Sequence, residues 1–309
     1  MEKNQRERQE PPKEKLTDIG TVKALLDRHG FHFSKKLGQN FLVNPSVCPR
    51  MAEACGADEN TGVLEIGPGI GVLTRELALR AAKVAAVELD DRLLPVLKET
   101  LAGFPNALVI HGDAMKLDLR RVIEENFPGL RAAVCANLPY YITSPILMTL
   151  LESRLPVDSI TVMVQKEAAQ RLCARPGTRE CGAVTLAVQY YAAPEVLFPV
   201  SRGSFLPAPN VDSAVIRLKV REEPPCRVED EAMLFRLVRA AFGQRRKTLA
   251  NALTGAGMDK VRAVTVLRTA GVPETARAEQ LSLPEFAALS NAASATAAAA
   301  AGEKEASLL

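Results

Sequence analysis

The residues best suited to chemistry in this chain are Asn137, Leu138, Pro139 and Tyr140, which follow one another directly. They come after an apolar run at 132–136 that is typical of a buried strand in a parallel sheet. Ligands of such sheets bind beyond the carboxyl ends of the strands. The four residues offer an amide, backbone carbonyls and an aromatic ring, but no side chain that titrates near pH 7. This set suits an uncharged planar amine better than it suits hydrolysis.

A glycine-rich segment, Glu65-Ile66-Gly67-Pro68-Gly69-Ile70-Gly71, connects a predicted strand at 63–67 to a predicted helix at 72–79. Glycines at alternate positions allow a tight turn and the close approach of a ligand. The spacing differs from the dinucleotide pattern G-x-G-x-x-G, and Pro68 lacks the amide that a pyrophosphate could use. Glu88, at the end of the next strand, is placed for ribose hydroxyls. The segment therefore predicts a nucleoside ligand without phosphates, with a plain strand-to-helix turn as the alternative.

A further acidic residue, Asp113, lies in His111-Gly112-Asp113-Ala114 at the end of a predicted strand at 107–111. In a sheet of order 3-2-1-4-5 it would lie beside the glycine loop, where it could accept a hydrogen bond from an adenine amino group. Capping of the following helix is the alternative role, and this residue alone does not decide between them.

The elements that would position these residues alternate along the chain. Strands are predicted at 63–67, 83–89, 107–111, 132–138 and 159–164, with helices at 72–79, 91–101 and 117–125. This alternation predicts an α/β fold with a doubly wound, mostly parallel sheet, to which runs at 195–200 and 212–220 could add an antiparallel pair. From residue 221 the apolar spacing becomes helical. We expect a disordered tail at 1–20, a catalytic domain at 21–220, a small all-helical domain at 221–290 and a frayed Ala-rich tail at 291–309.

Composition limits the classes of function. The 309 residues carry a net charge of +3, with only three histidines, and none of the six cysteines forms a C-x-x-C pair. A metal site is therefore not expected. No apolar run reaches transmembrane length, and the charged N-terminus has no signal-peptide core, so we expect a cytoplasmic protein without a membrane partner.

Between residues 232 and 258 all charged side chains are basic: Arg236, Arg239, Arg245, Arg246 and Lys247. A basic run often marks only a solvated helix face. Here no acidic side chain one turn away neutralises the charge, which favours contact with phosphates.

Taken in order, the glycine segment, Glu88, Asp113 and the 137–140 strip resemble the class I S-adenosylmethionine-dependent methyltransferases. More narrowly, they resemble the rRNA adenine N6-dimethyltransferase family. Further stretches resemble its bacterial small-subunit branch: Lys35-Lys36-Leu37-Gly38-Gln39-Asn40-Phe41-Leu42, Gln165-Lys166-Glu167, Phe205-Leu206-Pro207-Ala208-Pro209-Asn210-Val211-Asp212-Ser213 and Phe242-Gly243-Gln244-Arg245-Arg246-Lys247-Thr248-Leu249. The resemblance extends from about residue 30 to about residue 290 and includes neither tail.

The resemblance implies transfer of methyl groups from S-adenosyl-L-methionine to N6 of two adjacent adenines near the 3′ end of 16S rRNA, within an immature 30S subunit. It implies a monomer whose cofactor contacts are Asn40, Leu42, Gly67, Gly69, Glu88, Asp113 and Asn137. Among these, Glu88 would hold the ribose, Asp113 the adenine, and Gly67 would approach the methionine portion. From the residues alone, the segment 40–42 would instead be an apolar lead into a helix capped by Asn44.

The residue types themselves suggest how an adenine amino group would react. Its nitrogen is a poor nucleophile, because the lone pair is delocalised into the ring. If the Asn137 side-chain oxygen and the Leu138 carbonyl accept its two hydrogens, the lone pair can turn towards a methyl donor. Tyr140 would stack on the base, and Phe205 is a candidate for the opposite face, with a hydrophobic plug as its alternative role. Tyr141 is expected to pack behind the site.

Three other functions remain open at this point. One is a resistance-type enzyme that modifies large-subunit rRNA, although the segments 38–42 and 244–249 look more like the small-subunit branch. Another is a ribosome-assembly factor whose methylation is incidental or lost. The third is a dehydrogenase, which Pro68 and the lack of a hydride-transfer constellation disfavour.

Overall fold

The structure is a computed structural model that describes residues 15–33, 38–244 and 246–306, with side chains described as far as residue 297. Arg245, residues 35–37 of the N-terminal motif and the expected tail up to residue 14 lie outside the described residues. Contacts divide the chain into two units. The first comprises Met1–Ala169 and Glu195–Val220, and the second comprises Gln170–Pro194 and Arg221–Leu309.

The first unit is built on one large sheet. Its strands are β2 (Thr61–Ile66), β3 (Lys83–Glu88), β4 (Ala107–His111), β5 (Arg131–Asn137), β6 (Ser159–Gln165), β7 (Ala192–Val200) and β9 (Ser213–Val220). They lie in the order β4-β3-β2-β5-β6-β9-β7. The first five in this order are parallel, and β9 pairs antiparallel with β6. The predicted α/β fold with a mostly parallel sheet and the 3-2-1-4-5 arrangement of its first five strands is confirmed.

The remaining elements of the first unit surround this sheet. They are α1 (Ile19–Arg28), α2 (Val47–Ala54), α3 (Val72–Ala78), α4 (Leu94–Thr100), α5 (Leu119–Asn126) and α6 (Thr143–Glu152), while α7 (Lys166–Leu172) begins here. The central strand β2 is buried along its whole length, as expected for a strand covered on both faces. Short strands β1 (Phe41–Leu42) and β8 (Phe205–Leu206) form a separate antiparallel pair. This pair fixes the segment that leads to α2.

The second unit is helical in its described part, with α8 (Ala183–Tyr191), α9 (Glu231–Gly243), α10 (Leu249–Gly255), α11 (Lys260–Thr269) and α12 (Leu283–Ala306). It includes residues 170–194, which the sequence had suggested would belong to the catalytic domain. Residues 170–194 group with the second unit because α8 makes polar and aromatic contacts with α9. The Tyr191 ring stacks on Phe235 at 5.7 Å, and its hydroxyl donates to Glu231 at 2.6 Å.

In the Ala-rich end, α12 continues past residue 291 to residue 306. Ala292 and Ala293 are buried, and an Arg262 guanidinium on α11 donates to the Ala293 carbonyl at 3.0 Å. Small side chains thus allow close approach of a neighbouring helix, which the expectation from sequence overlooked. In the described part of the chain, no helix is both long and apolar enough to cross a membrane.

Candidate active site

A cavity of about 150 Å³ lies in the first unit where β2, β3 and β5 end. Packing voids in proteins rarely exceed one water molecule, so a space of this size is a candidate binding site. The structure brings together around it ten of the predicted site residues: Asn40, Leu42, Gly67, Gly69, Glu88, Asp113, Asn137, Leu138, Pro139 and Tyr140. Their side-by-side position follows from the sheet, since the carboxyl ends of parallel strands share one edge.

Most backbone amides of the glycine loop between β2 and α3 already donate hydrogen bonds within the protein. The Gly67 N–H donates to a β3 carbonyl at 2.9 Å, and the Gly71 N–H donates to the Pro68 carbonyl at 2.9 Å. The Gly69 N–H donates to Glu88 Oε2 at 3.3 Å, and Pro68 has no N–H. Four of the five loop positions therefore have no amide left for a phosphate. This arrangement supports a ligand without phosphates.

Glu88 lies at the end of β3, where it is almost fully buried. Its Oε1 accepts the Asp90 N–H at 2.8 Å, and its Oε2 accepts the Gly69 N–H. Burial raises the pKa of Glu88, while these two amides act in the opposite direction. The carboxylate thus holds the glycine loop, and its remaining lone pairs can accept ribose hydroxyls.

A polar link that the sequence did not reveal ties the N-terminal segment to the same site. The Asp90 carboxylate accepts Gln39 Nε2 at 2.7 Å and pairs with the Arg92 guanidinium at 2.6 Å. The Arg92 guanidinium holds the pKa of Asp90 below its usual range. Asp90 could have been suspected because it stands two residues after Glu88. Nothing in the sequence pairs it with Gln39, which is 51 residues away.

Glu65 is a second missed residue, since its motif was noted but no role was assigned to it. It is 1% exposed, it lines the cavity, and its Oε2 has no hydrogen-bond partner among the described residues. Burial raises the pKa of Glu65 to about 8, and the neighbouring charge of Glu88 acts in the same direction. The carboxyl is therefore mostly neutral at pH 7 and ionises most readily when a cation approaches.

The carboxyl side chains on the described wall of the cavity are Glu65, Glu88 and Asp113, and no Lys, Arg or His side chain lies on that wall. Asp113 accepts the Met115 N–H through Oδ1 at 2.9 Å, and the exposed Lys116 ammonium is 3.6 Å from Oδ2. Asp113 thus stabilises the turn that follows it and also lines the cavity. Among the described residues, no group of three His, Cys, Asp or Glu side chains could hold a metal ion. The cavity favours a positively charged ligand over an anionic one.

The strip after β5 is held from two sides. The Asn137 Nδ2 donates to the Asn40 carbonyl at 3.4 Å, and the Leu138 N–H donates to the Met163 carbonyl at 3.3 Å. Because the Asn137 amide nitrogen is engaged with Asn40, its Oδ1 is the atom left to accept a hydrogen bond from a ligand. Tyr140 is half-buried, and its hydroxyl lies 2.7 Å from Ser213 Oγ. Burial raises the pKa of Tyr140.

Two further aromatic residues of the sequence analysis, Tyr141 and Phe205, lie in different surroundings. Tyr141 is 58% exposed and lines the cavity, so the expectation that it packs behind the site is wrong. Phe205 pairs through β8 with Leu42 of β1 and is 4% exposed in the core of the first unit. It is not part of the described cavity wall. Stacking of Phe205 on a base stays a prediction.

The basic residues of the second unit lie on an exposed surface. Arg236 and Arg239 project from α9, whose opposite face buries Leu234, Leu237, Val238 and Ala241. Arg246 and Lys247 follow this helix and are exposed. Within the described residues, no carboxylate forms an ion pair with any of these four side chains. Their charge is available to an anionic partner.

Comparisons with known proteins agree with this geometry. The family model described as ribosomal RNA adenine dimethylase matches residues 30–294. The chain is 50% identical to the ribosomal RNA small subunit methyltransferase A of Geobacillus thermodenitrificans, over 88% of this chain and 95% of that protein. It is 44% identical to the protein of the same name from Alkaliphilus oremlandii, over 90% and 98%.

Solved structures show the same fold. The 23S rRNA methyltransferase ErmE matches with a TM-score of 0.63 and 30% identity, over 82% of this chain and 100% of that one. A dimethyladenosine transferase from Plasmodium falciparum matches with a TM-score of 0.67 and 27% identity, over 81% and 95%. The match to the family model covers most of the chain, and the relatives are matched over nearly their whole length. The chain therefore belongs to the ribosomal RNA adenine dimethylase family.

Proposed function

We propose that this protein transfers methyl groups from S-adenosyl-L-methionine to N6 of two adjacent adenines near the 3′ end of 16S rRNA, within an immature 30S subunit. The observation that carries the proposal is the orientation of the Asn137 amide. Its nitrogen is bound to the Asn40 carbonyl, which leaves Oδ1 as an acceptor at the cavity, beside Leu138 and Tyr140. An acceptor and a ring without a general base fit an adenine amino group.

The cavity residues fit S-adenosylmethionine, which supplies the methyl group when it is bound. Its sulfonium and ammonium charges match a described wall that carries the carboxyl groups of Glu65, Glu88 and Asp113 and no basic side chain. The buried Glu65 Oε2, which has no partner in the described structure, is an acceptor for such a charge. In this proposal Glu88 binds the ribose, Asp113 the adenine ring, and Gly67, Gly69, Asn40 and Leu42 shape the wall.

The 137–140 strip would act on the target base by positioning and electrostatics. Asn137 Oδ1 and the Leu138 carbonyl accept the two hydrogens of the amino group, which concentrates the lone pair on its nitrogen. Tyr140 stacks on the base and keeps its amino group level with the two acceptors, a contact worth about 1–3 kcal/mol. Once methylated, the nitrogen carries an extra proton that it releases to water. No side chain of the strip needs to titrate for this step.

In the same proposal the helical domain binds RNA phosphates. The exposed side chains of Arg236, Arg239, Arg246 and Lys247 provide four positive charges, and Arg245 between them in sequence adds a fifth. Phosphate contacts of this kind release counterions, so affinity should fall as the salt concentration rises. This domain would supply affinity, while the cavity supplies the choice of base.

Incubation with immature small subunits and labelled S-adenosylmethionine tests the proposal. We expect N6,N6-dimethyladenosine in the 16S rRNA, detected by mass spectrometry of digested RNA. Mature 30S subunits and naked large-subunit rRNA serve as parallel substrates, since the fold is shared with the 23S enzyme ErmE. Absence of dimethyladenosine from every small-subunit substrate would refute the proposal. Preference for the large-subunit RNA would reassign the substrate.

A further inference from the structure

We propose that Ser213 is a positioning residue for the target base, because its hydroxyl fixes the direction in which the Tyr140 ring points. This inference rests on the proposed function, in which Tyr140 stacks on the adenine. It assigns a role to a residue on β9, which the sequence had indicated only as part of a motif.

The geometry singles out this contact. The Tyr140 hydroxyl lies 2.7 Å from Ser213 Oγ, across 73 residues of sequence. Tyr140 begins a short 3₁₀ helix, Tyr140–Ile142, and so lies outside the strand pairing that holds Asn137. The whole side chain can swing about its Cα–Cβ bond, which carries the ring away from the cavity, unless its far end is anchored. A hydrogen bond at the hydroxyl supplies that anchor.

Ser213 is well suited to be the fixed end of this bond, because it is 0% exposed and begins β9. Its Cα partner on β6 is Gln165. The preceding residue, Asp212, is held twice: its carbonyl accepts the Lys166 N–H at 3.0 Å, and its Oδ1 accepts the Arg202 N–H at 3.0 Å. The backbone on either side of the hydroxyl is thus tied to neighbouring segments.

The orientation of the ring matters because methyl transfer is sensitive to alignment. A displacement of about 1 Å at a reacting centre can slow a reaction by about a hundredfold. The stacked base follows the Tyr140 ring, so a tilted ring moves the amino nitrogen away from Asn137 Oδ1. After the first transfer the amino nitrogen has one hydrogen fewer. It therefore donates one hydrogen bond fewer to Asn137 Oδ1 and the Leu138 carbonyl. The second transfer should then depend more strongly on the ring than the first.

The test compares variants that remove the same hydrogen bond from either end. Ser213→Ala and Tyr140→Phe each remove one hydroxyl and leave the aromatic ring in place. Ser159→Ala is the matched control, since Ser159 is a buried serine at the other end of β6 that donates to the Cys55 carbonyl at 3.4 Å. Single-turnover rates, the ratio of mono- to dimethyladenosine and the cofactor Kd are measured for each.

We expect Ser213→Ala and Tyr140→Phe to lower the single-turnover rate by a similar factor, about two- to tenfold, the effect of one lost hydrogen bond. The fraction of monomethyladenosine should rise in both variants. In Ser213→Ala the cofactor Kd should stay within about twofold, because Ser213 does not line the described cavity wall. The double variant should be no slower than either single variant, since both remove the same bond. Ser159→Ala should change none of these quantities.

Three results would overturn the inference: an unchanged rate and product ratio in Ser213→Ala, the same loss in Ser159→Ala, or fully additive losses in the double variant. If Ser213→Ala does not fold, Tyr140→Phe carries the same test, and an unchanged product ratio there overturns it. A parent enzyme that forms no dimethyladenosine would instead refute the proposed function itself. The two failures are therefore distinguishable.

Discussion

Replacing Glu65 by glutamine should change how the stability of the protein depends on pH. Burial raises the pKa of Glu65 from 4.5 to about 8 in the folded protein, whereas the unfolded chain leaves it near its ordinary value. Between these two values the unfolded state loses the proton while the native state keeps it, so unfolding becomes easier as the pH rises. The stabilising effect of the neutral acid is therefore complete below about pH 4.5 and is lost as the pH approaches about 8.

Glutamine has nearly the same shape and does not ionise, so the variant should lack this loss. The interval from 4.5 to about 8 corresponds to at most about 5 kcal/mol. Local relaxation and entry of water lower the cost of a buried charge. We therefore expect the stability difference between variant and parent to grow in favour of the variant by about 2–4 kcal/mol between about pH 5 and about pH 8.5. Urea unfolding of the cofactor-free proteins across this range measures it.

The matched control is Glu152→Gln, since Glu152 is an exposed carboxyl on α6. Its stability difference from the parent is the baseline with which the Glu65→Gln difference is compared. A Glu65→Gln difference that stays constant over the same range would show that Glu65 is already ionised in the folded protein, and the neutral buried acid would be refuted. A difference that grows in favour of the parent would refute it as well.

Two further variants test the loop and the basic surface. Gly67 has φ of 70°, and a Cβ there would meet no atom of the described residues within 4 Å beyond its chain neighbours. Gly67→Ala should therefore cost about 1–2 kcal/mol in backbone strain and also project a methyl into the cavity. Its cofactor Kd, measured by calorimetry, should rise because the added methyl occupies ligand space. An unchanged Kd would show that Gly67 is not part of the binding wall. Neutralising Arg236 and Arg239 together to Gln should reduce the slope of log affinity for RNA against log salt by about 2. An unchanged slope would show that α9 does not contact phosphates.

Much of the fold could be predicted because alternating apolar segments mark strands and helices directly. The ends of β2, β3, β4 and β5 then meet at one edge of the sheet, whatever lies between them in sequence. That rule places the glycine loop, Glu88, Asp113 and Asn137 around one cavity before any coordinates are known. The prediction of a ligand without phosphates also came from the sequence, since Pro68 has no amide.

The side-chain contacts within the site could not be predicted in the same way. Asn137 bonds to the Asn40 carbonyl 97 residues away, and Tyr140 bonds to Ser213. Such partners depend on how segments cross in space and leave no periodic signal along the chain. The burial of Phe205 likewise results from the pairing of β1 with β8. Strands of two residues are too short to produce a recognisable sequence pattern. At α12 the missed feature was packing, since Ala292 and Ala293 are buried although their side chains are small.

The role of Asn137 is tested most directly by the single-turnover rate of Asn137→Ala on immature small subunits, measured with saturating cofactor. The matched control is Asn126→Ala, which removes a half-buried amide at the end of α5 that donates to the Val122 carbonyl at 2.9 Å. We expect methyl transfer by Asn137→Ala to fall by about a hundredfold or more, as for loss of an electrostatic contact to a reacting group. The Kd values for cofactor and RNA should stay within about threefold, and Asn126→Ala should remain active. An Asn137→Ala variant that methylates 16S rRNA at the parent rate would contradict the proposed positioning of the adenine amino group.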